Sequence, residues 1–139
     1  MENLNNILLT EKYRPTDIRQ LLLPQRIMAK VENGVYTNFL FAGTAGCGKT
    51  TAAKAMVKTF GHDYVFINAS DDNGVDVVRE KIVDFACNRS LHENGKVKVI
   101  ILDECDGFTD NAWKAMRSTI ETYSGNVRFI MTCNIIEKN

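Results

Sequence analysis

Residues 38–51 read NFLFAGTAGCGKTT, and this stretch decides the fold. Residues 39–42 form a short apolar run that is typical of a strand buried in a parallel sheet. The run leads into Gly43, and after four residues Gly48, Lys49 and Thr50 complete the P-loop pattern G-x-x-x-x-G-K-[ST]. The stretch therefore predicts a strand, a loop that wraps around a phosphate group, and a helix.

The loop needs these residue types for physical reasons. Glycines let the backbone N–H groups point inward at a phosphate, where a Cβ would obstruct. The N-terminus of the following helix adds about half a positive charge. Lys49 supplies a full charge for the β- and γ-phosphates, and the Thr50 hydroxyl is suited to bind Mg²⁺. The residues expected to contact a nucleoside triphosphate are Gly43, Thr44, Ala45, Gly46, Cys47, Gly48, Lys49, Thr50 and Thr51.

The residues after the loop supply the context that this motif requires. Apolar residues recur at the i, i+3, i+4, i+7 spacing of one helix face, namely Ala53, Met56, Val57 and Phe60. Gly61 then stands where a helix commonly ends. A strand, a glycine loop and a helix in this order indicate a triphosphate site rather than a glycine turn between unrelated elements.

Size and composition are those of an ordinary globular domain. The chain has 139 residues, 45% of them hydrophobic, and its 17 Lys and Arg balance 17 Asp and Glu, so net charge gives no argument for nucleic acid or membrane. No apolar run approaches the ~18 residues of a membrane span. The four cysteines are widely separated and contain no C-x-x-C pair. We therefore expect reduced cysteines in a cytoplasmic protein that does not bind membranes.

The remaining chain alternates between strand and helix patterns. Residues 64–67, 97–102 and 127–133 are apolar runs typical of buried strands. Two helix patterns separate them, with inward positions at Val78, Ile82, Phe85 and Ala86, and at Trp113, Met116, Ile120 and Tyr123, the second helix being capped by Thr109 and Asp110. Before the P-loop, residues 1–16 are expected to be an extended arm and residues 17–31 a short helical region.

This alternation predicts an α/β fold of three layers, with a parallel sheet, helices on its faces and right-handed crossovers. Ligands of such sheets bind at the carboxyl ends of the strands. The P-loop, Asp103, Glu104 and Asn134 all follow predicted strands, so we expect them to lie at one edge of the sheet.

Asp103 and Glu104 form an acidic pair with separable roles. A carboxylate at Asp103 can hold Mg²⁺ against the nucleotide. Glu104 can orient and polarise a water molecule, and such general-base assistance typically contributes about 10²–10⁴ in rate. Because a small-molecule kinase needs no base that activates water, the pair favours hydrolysis.

Two asparagines at strand ends carry open interpretations. Asn134 either hydrogen-bonds the attacking water or the γ-phosphate, or is an ordinary turn residue. Asn68 either holds Glu104 in an unproductive position until a partner arrives, or closes a turn.

Several stretches, in this order along the chain, resemble the clamp-loader branch of the AAA+ ATPases. The similarity is to the small subunits of the replication-factor-C type, including the version carried by T4-like bacteriophages. Besides the P-loop, the matching stretches are EKYRP at 11–15, NASDDNGVDVVREK at 68–81, DECD at 103–106, AMRSTIE at 115–121 and TCN at 132–134.

The resemblance implies an AAA+ P-loop ATPase with ATP and Mg²⁺ as cofactors. In that family a strand lies between the P-loop strand and the Walker B strand, which puts the end of the fourth strand between the two half-sites. The implied roles are adenine contact for Tyr13, Arg14 and Pro15, catalysis for Lys49, the Walker B pair for Asp103 and Glu104, with Asp103 and Thr50 at the metal, and sensor 1 for Asn134.

The resemblance also implies partners. They are a sliding clamp, the other clamp-loader subunits of a five-subunit spiral, and primer–template DNA, in the cytoplasm (the host's, if a phage encodes the chain). DNA phosphates would lie at the starts of two helices, where the helix dipole attracts anions. By position the candidate DNA contacts are Asn73, Arg79, Lys81, Thr109 and Lys114, with a solvated helix face as the alternative for Arg79 and Lys81.

Three features depart from the family pattern. Thr44 and Ala45 stand where the family P-loop usually has prolines. Trp113 stands where many relatives carry a polar residue that helps to couple the ATP and DNA sites. The chain also stops at Asn139, so residues 1–139 are expected to be the N-terminal part of an AAA+ domain (arm 1–16, core 17–139), truncated after the fourth strand, without the arginine-bearing segment, lid and collar. An arginine finger is typically worth about 10³–10⁵ in turnover, so negligible ATPase activity is expected of this chain alone.

Two other functions remain open on the sequence. One is a module that binds ATP without hydrolysing it. The other is a different AAA+ DNA motor, such as a branch-migration helicase, against which the NASD stretch at 68–71 argues.

Overall fold

A computed structural model describes residues 34–70, 74–88 and 96–134, together with Ala29. The expected arm at 1–16 with Tyr13, Arg14 and Pro15, the helical region at 17–31 apart from Ala29, and Asn73 lie outside the described residues. No helix in the described ranges is both long enough and apolar enough to cross a membrane.

The regular elements alternate as the sequence predicts. In chain order they are β1 (Phe39–Gly43), α1 (Lys49–Thr59), β2 (Tyr64–Asn68), α2 (Gly74–Cys87), β3 (Lys98–Asp103), a 3₁₀ turn (Cys105–Gly107), α3 (Asp110–Tyr123) and β4 (Val127–Asn134). Each predicted strand boundary is met to within one residue.

The strands form a parallel sheet in the order β1-β4-β3-β2. β4, the last of the described strands, therefore lies between the P-loop strand and the strand that ends in Asp103, as expected. Register fixes the ends: Gly43 pairs with Asn134, and Asn68 pairs with Asp103. The carboxyl ends of β1, β2 and β4 thus lie at the same edge of the sheet as the acidic pair at the end of β3.

Two apolar clusters hold helices on opposite faces of this sheet. On one face α1 packs on β3 and β4 through Met56, Val57 and Ile130. On the other face α2 and α3 share a second cluster that includes Ile82, Met116 and others from β2 to β4. The three-layer α/β prediction is confirmed.

The buried stripe of α3 differs from the one that hydrophobicity alone selects. Of the four inward positions expected, only Met116 is fully buried, and the stripe is completed by Ala112 and Thr119. Trp113 and Ile120 lie at its margin, half-exposed. Small residues at the centre let the helix backbone approach the sheet and α2 closely, whereas large residues fill the edges.

Side chains pin the end of the sheet remote from the P-loop. The Asn38 Oδ1 atom accepts the Phe129 N–H at 2.9 Å, and the Arg128 guanidinium donates to the Tyr36 carbonyl at 2.9 Å and the Ser124 carbonyl at 2.6 Å. These bonds tie the entry of β1 to the start of β4. They set the register that brings Gly43 beside Asn134 at the other end.

His62 joins the two segments that lead into β1 and β3. Its buried ring accepts the Val35 N–H at Nε2 (3.0 Å), so Nδ1 carries the proton and donates to the Val97 carbonyl at 2.8 Å. Burial lowers the pKa of His62 from the ordinary value of 6.5, the hydrogen bond to Val97 raises it, and the Lys96 charge lowers it further. Protonation would remove the acceptor that Val35 requires.

We expect stability to fall in weak acid because of His62. Since the folded state favours the neutral ring, this contribution is complete above the unfolded pKa of 6.5 and is lost as pH falls from there towards the folded pKa. Urea unfolding followed between about pH 7.5 and pH 5.5 measures the loss. His62→Gln, which has no titratable ring, should show a shallower pH dependence, and equal slopes for the two proteins would contradict the assignment.

Candidate functional site

The P-loop curves through two residues that favour glycine. Gly46 and Gly48 have φ of 79° and 88°, in the left-handed region where a Cβ is disfavoured. Gly48 is also the N-cap of α1 and offers no side-chain cap, so the first N–H groups of α1 are not occupied by a capping side chain. Together the loop and the helix N-terminus form a cradle suited to an anion.

Lys49 is folded back over this loop. Its Nζ atom donates to the Thr44 carbonyl at 2.7 Å and the Gly43 carbonyl at 3.1 Å, and lies 3.6 Å from the Cys47 sulfur. These three residues span the whole turn of the loop. The ammonium group therefore lies against the main-chain carbonyls of the loop.

Asp103 links the loop to the end of β3. Its side chain is only 6% exposed, and a buried carboxylate requires hydrogen-bond donors. Two hydroxyls donate to the same Oδ1 atom, Thr50 at 2.7 Å and Thr132 at 2.6 Å. The adjacent hydroxyl and carboxylate oxygens of Thr50 and Asp103 are the hard ligands that Mg²⁺ prefers, so these residues fit that ion.

Glu104 leaves the end of β3 in an unusual backbone conformation. Among the described residues it is the one non-glycine residue with positive φ (57°). This left-handed conformation is unfavourable for a residue with a Cβ and is enriched at functional sites. Its N–H donates to the Thr132 hydroxyl at 3.0 Å, which helps to hold it.

The Glu104 carboxylate is held by Ser70 and not by Asn68. The Ser70 Oγ atom lies 2.5 Å from Glu104 Oε2 and 2.7 Å from Asn68 Oδ1, and its single proton serves one of these oxygens at a time. Asn68 closes the turn after β2 by accepting the Ser70 N–H at 2.9 Å. Asn68 therefore reaches Glu104 only through Ser70.

One cavity collects these groups. It has a volume of about 310 Å³ and is lined by Ala45, Gly46, Gly48, Lys49, Thr50, Thr51, Asp103, Glu104, Thr132 and Asn134. Three predicted loop residues, Gly43, Thr44 and Cys47, are not part of the lining; the first two offer their carbonyls to Lys49. The volume is at the lower end for a ligand pocket, which suits the phosphates of a nucleotide more than its base.

The candidate DNA residues do not gather in the same way. Arg79 donates from Nε to the buried Thr119 hydroxyl at 3.2 Å and lies 3.9 Å from Asp76, so it braces α2 against α3. Thr109 caps α3 by accepting the Ala112 N–H at 3.1 Å. Lys81 is exposed, and Lys114 lines a separate groove of about 530 Å³ on α3 with Asp110, Trp113, Arg117, Ile120 and Met131.

Sequence reasoning missed two residues that position the acidic pair, Ser70 and Thr132. Both lie in stretches that carry the family resemblance, but neither was assigned a role. Their partners are 34 residues away for Ser70 and 29 and 28 residues away for Thr132, so no local pattern connects them. The one available signal is that Thr132 is a polar residue within the apolar part of β4, whereas Ser70 lies in a polar turn after β2 and carries no such signal.

Comparison with known proteins then gives the family. The model of the ATPase family associated with various cellular activities (AAA) matches residues 39–139. The chain belongs to this AAA family. The match covers every residue that lines the cavity.

Relatives of this AAA chain are replication proteins by name. The replication factor C small subunit of Halobacterium salinarum is 40% identical over 137 residues, 92% of this chain and 42% of that protein. That of Sulfolobus acidocaldarius is 40% identical over 142 residues, 95% of this chain and 43% of that protein. The chain thus spans less than half the length of these relatives.

A solved structure supports the AAA fold. A point mutant of RuvB from Thermotoga maritima superposes with a TM-score of 0.63 over 88% of this chain and 42% of that one. At 15% identity the likeness concerns the fold alone.

We expect Lys49→Ala to weaken ATP binding, because it removes the positive charge that lies at the P-loop. A hydrogen bond to a charged group is worth about 1.5–3 kcal/mol, which corresponds to about 10- to 100-fold in affinity. Titration with a fluorescent ATP analogue measures it. Lys58→Ala, at the exposed end of the same helix, is the control and should bind as the unaltered chain does. Equal affinities for both variants would contradict the placement of Lys49.

Proposed function

We propose that this chain is the N-terminal part of the ATPase domain of a sliding-clamp loader subunit. It would bind ATP with Mg²⁺, and hydrolysis would end the grip of the loader on a clamp and primer–template DNA. The observation that carries the proposal is the single cavity to which P-loop, acidic pair and Asn134 all contribute. Similarity to replication factor C small subunits over more than nine-tenths of the chain supports the clamp-loader branch.

Nucleotide binding follows from charge and donor placement. The phosphates would accept hydrogen bonds from the loop and the N-terminus of α1, with Lys49 neutralising the outermost ones. Mg²⁺, when bound, would neutralise further charge on the phosphates. Thr50 and Asp103 would hold it, since their oxygens already lie together. The adenine would lie outside the described cavity, and the family pattern assigns it to Tyr13, Arg14 and Pro15.

Hydrolysis requires a base and a group that senses the γ-phosphate. Glu104 lines the cavity beside Asp103 and is an exposed carboxylate, as a base that must meet water has to be. Asn134 is placed across from Gly43 by strand register, so its amide would face the outermost phosphate. Its main-chain N–H is fixed by the Asp106 carboxylate at 3.1 Å.

Partners and location belong to the same proposal. We assign DNA contacts to the starts of α2 and α3 through Asn73, Arg79, Lys81, Thr109 and Lys114. Arg79 bonds to Thr119, and Thr109 caps α3. Of this set, the exposed Lys81 and Lys114 are therefore best placed to contact phosphates. Other loader subunits would complete the assembly, in the cytoplasm of the cell or of a phage host.

Glu104→Gln tests the function. In the loader assembled with its other subunits, loss of the base should lower ATP turnover about 10²- to 10⁴-fold while ATP affinity is kept, so clamp and primed DNA should be retained longer in the presence of ATP. Single-turnover hydrolysis and co-purification with the clamp of the same genome measure both. Glu121→Gln, on the exposed side of α3, is the control. Unchanged turnover would exclude Glu104 as the base, and ATP binding without turnover or clamp retention in the assembled loader with unaltered Glu104 would favour a plain binding module.

Ser70→Ala tests how Glu104 is restrained. Ser70 follows β2, and β3 and β4 separate β2 from the P-loop strand, so its hydrogen bond draws the carboxylate away from the phosphates. Loss of one such bond, worth about 1 kcal/mol, should raise the turnover of the loader assembled with its other subunits about fivefold at unchanged ATP affinity. Ser118→Ala, at an exposed position on α3, is the matched control. A fall in turnover would show that Ser70 presents the carboxylate instead of restraining it.

A further inference from the structure

We infer that Thr132 is a positioning residue that fixes both acidic residues of the site through one hydroxyl group. The inference rests on the proposed function, since it concerns the same cavity. Thr132 is 2% exposed and lies on β4, two residues before Asn134. It pairs with Phe41 of β1, while β3 flanks the other side of β4. Its hydroxyl therefore lies between the strand that feeds the P-loop and the strand that ends in the acidic pair.

The hydroxyl proton is used on Asp103. Thr132 donates to Oδ1 at 2.6 Å, and Thr50 donates to the same atom at 2.7 Å. Two donors from different directions on one oxygen fix the plane of the carboxylate. The orientation in which Asp103 would meet a metal ion beside Thr50 is thus set from β4.

The hydroxyl oxygen is used on Glu104. It accepts the Glu104 N–H at 3.0 Å. Glu104 has a left-handed backbone, which is disfavoured for a residue with a Cβ. The bond from Thr132 gives that main chain a fixed partner, and the main chain sets the direction in which the Glu104 side chain departs.

These hydrogen bonds form a continuous chain. Thr50 and Thr132 both donate to Asp103, and the Glu104 N–H donates to Thr132. This chain of hydrogen bonds joins the expected metal position to the expected base through one buried residue. Valine has nearly the same shape as threonine but lacks the hydroxyl, so it would break both links while filling the same space. Serine keeps the hydroxyl and loses only a methyl group.

Thr132→Val and Thr132→Ser test the inference on the full chain. The first readout is the ratio of ATP affinities with Mg²⁺ and with a chelator, and the second is hydrogen exchange at the Glu104 amide. Removing a group that orients a metal ligand typically lowers metal affinity about 10- to 100-fold, so we expect the Mg²⁺-dependent gain to fall by that factor in Thr132→Val and to survive in Thr132→Ser. Exchange at Glu104 should accelerate in the valine variant alone.

Thr119→Val provides the matched control. Thr119 is also a buried threonine whose hydroxyl both donates, to the Ala115 carbonyl, and accepts, from Arg79, but it lies between α2 and α3. The Thr119→Val variant should be less stable, but its ratio of ATP affinities with Mg²⁺ and with a chelator should be unchanged. A purely structural role for Thr132 would make the two valine variants behave alike.

The inference is overturned if Thr132→Val keeps both the Mg²⁺ ratio and the protection of the Glu104 amide. Should that variant fail to fold, exchange in the unaltered chain decides, because an unprotected Glu104 amide there also overturns it. If the unaltered chain shows no Mg²⁺-dependent ATP binding, the proposed function fails, while the exchange comparison still tests the link from Thr132 to Glu104.

Discussion

The hydrogen bond from Thr50 to Asp103 is the interaction on which the site depends. It joins the first turn of α1 to the end of β3, 53 positions along the chain, at 2.7 Å. A carboxylate as buried as Asp103 is strongly disfavoured unless donors surround it. Thr50 and Thr132 supply those donors, so the same contacts that make the charge tolerable also place it beside the phosphate cradle.

The sheet order makes this contact possible. In the order β1-β4-β3-β2 the P-loop strand and the acidic strand are not neighbours, and β4 separates them. Two hydrogen bonds to Asp103 span this separation, one from Thr132 on β4 and one from Thr50 in the first turn of α1. If β1 and β3 were neighbours, the P-loop and the acidic pair would meet directly. Because β4 lies between them, it contributes Thr132 and Asn134 to the cavity.

The elements, and the meeting of the P-loop, the acidic pair and Asn134 at one cavity, could be predicted from the sequence because their signals are local. The apolar runs, the glycine loop and the acidic pair each lie within a few consecutive residues, and parallel strand order then places their ends together. The contacts of Ser70 and Thr132 depend instead on register between strands far apart in the chain, and a lone hydroxyl on a buried strand has no periodicity to reveal it. The predicted face of α3 differs from the observed one for another reason, since Ala112 is small and Thr119 is polar, yet both are buried beside Met116.

The most direct test of the account replaces Mg²⁺ by Mn²⁺ in the presence of a non-hydrolysable ATP analogue and records amide NMR signals. If one pocket holds metal and triphosphate, the signals of Thr50 and Asp103 broaden together and only with the nucleotide present. Lys98, at the opposite end of β3, broadens much less. Broadening of Thr50 without Asp103, or of neither, would contradict the claim that loop and acidic strand form a single site.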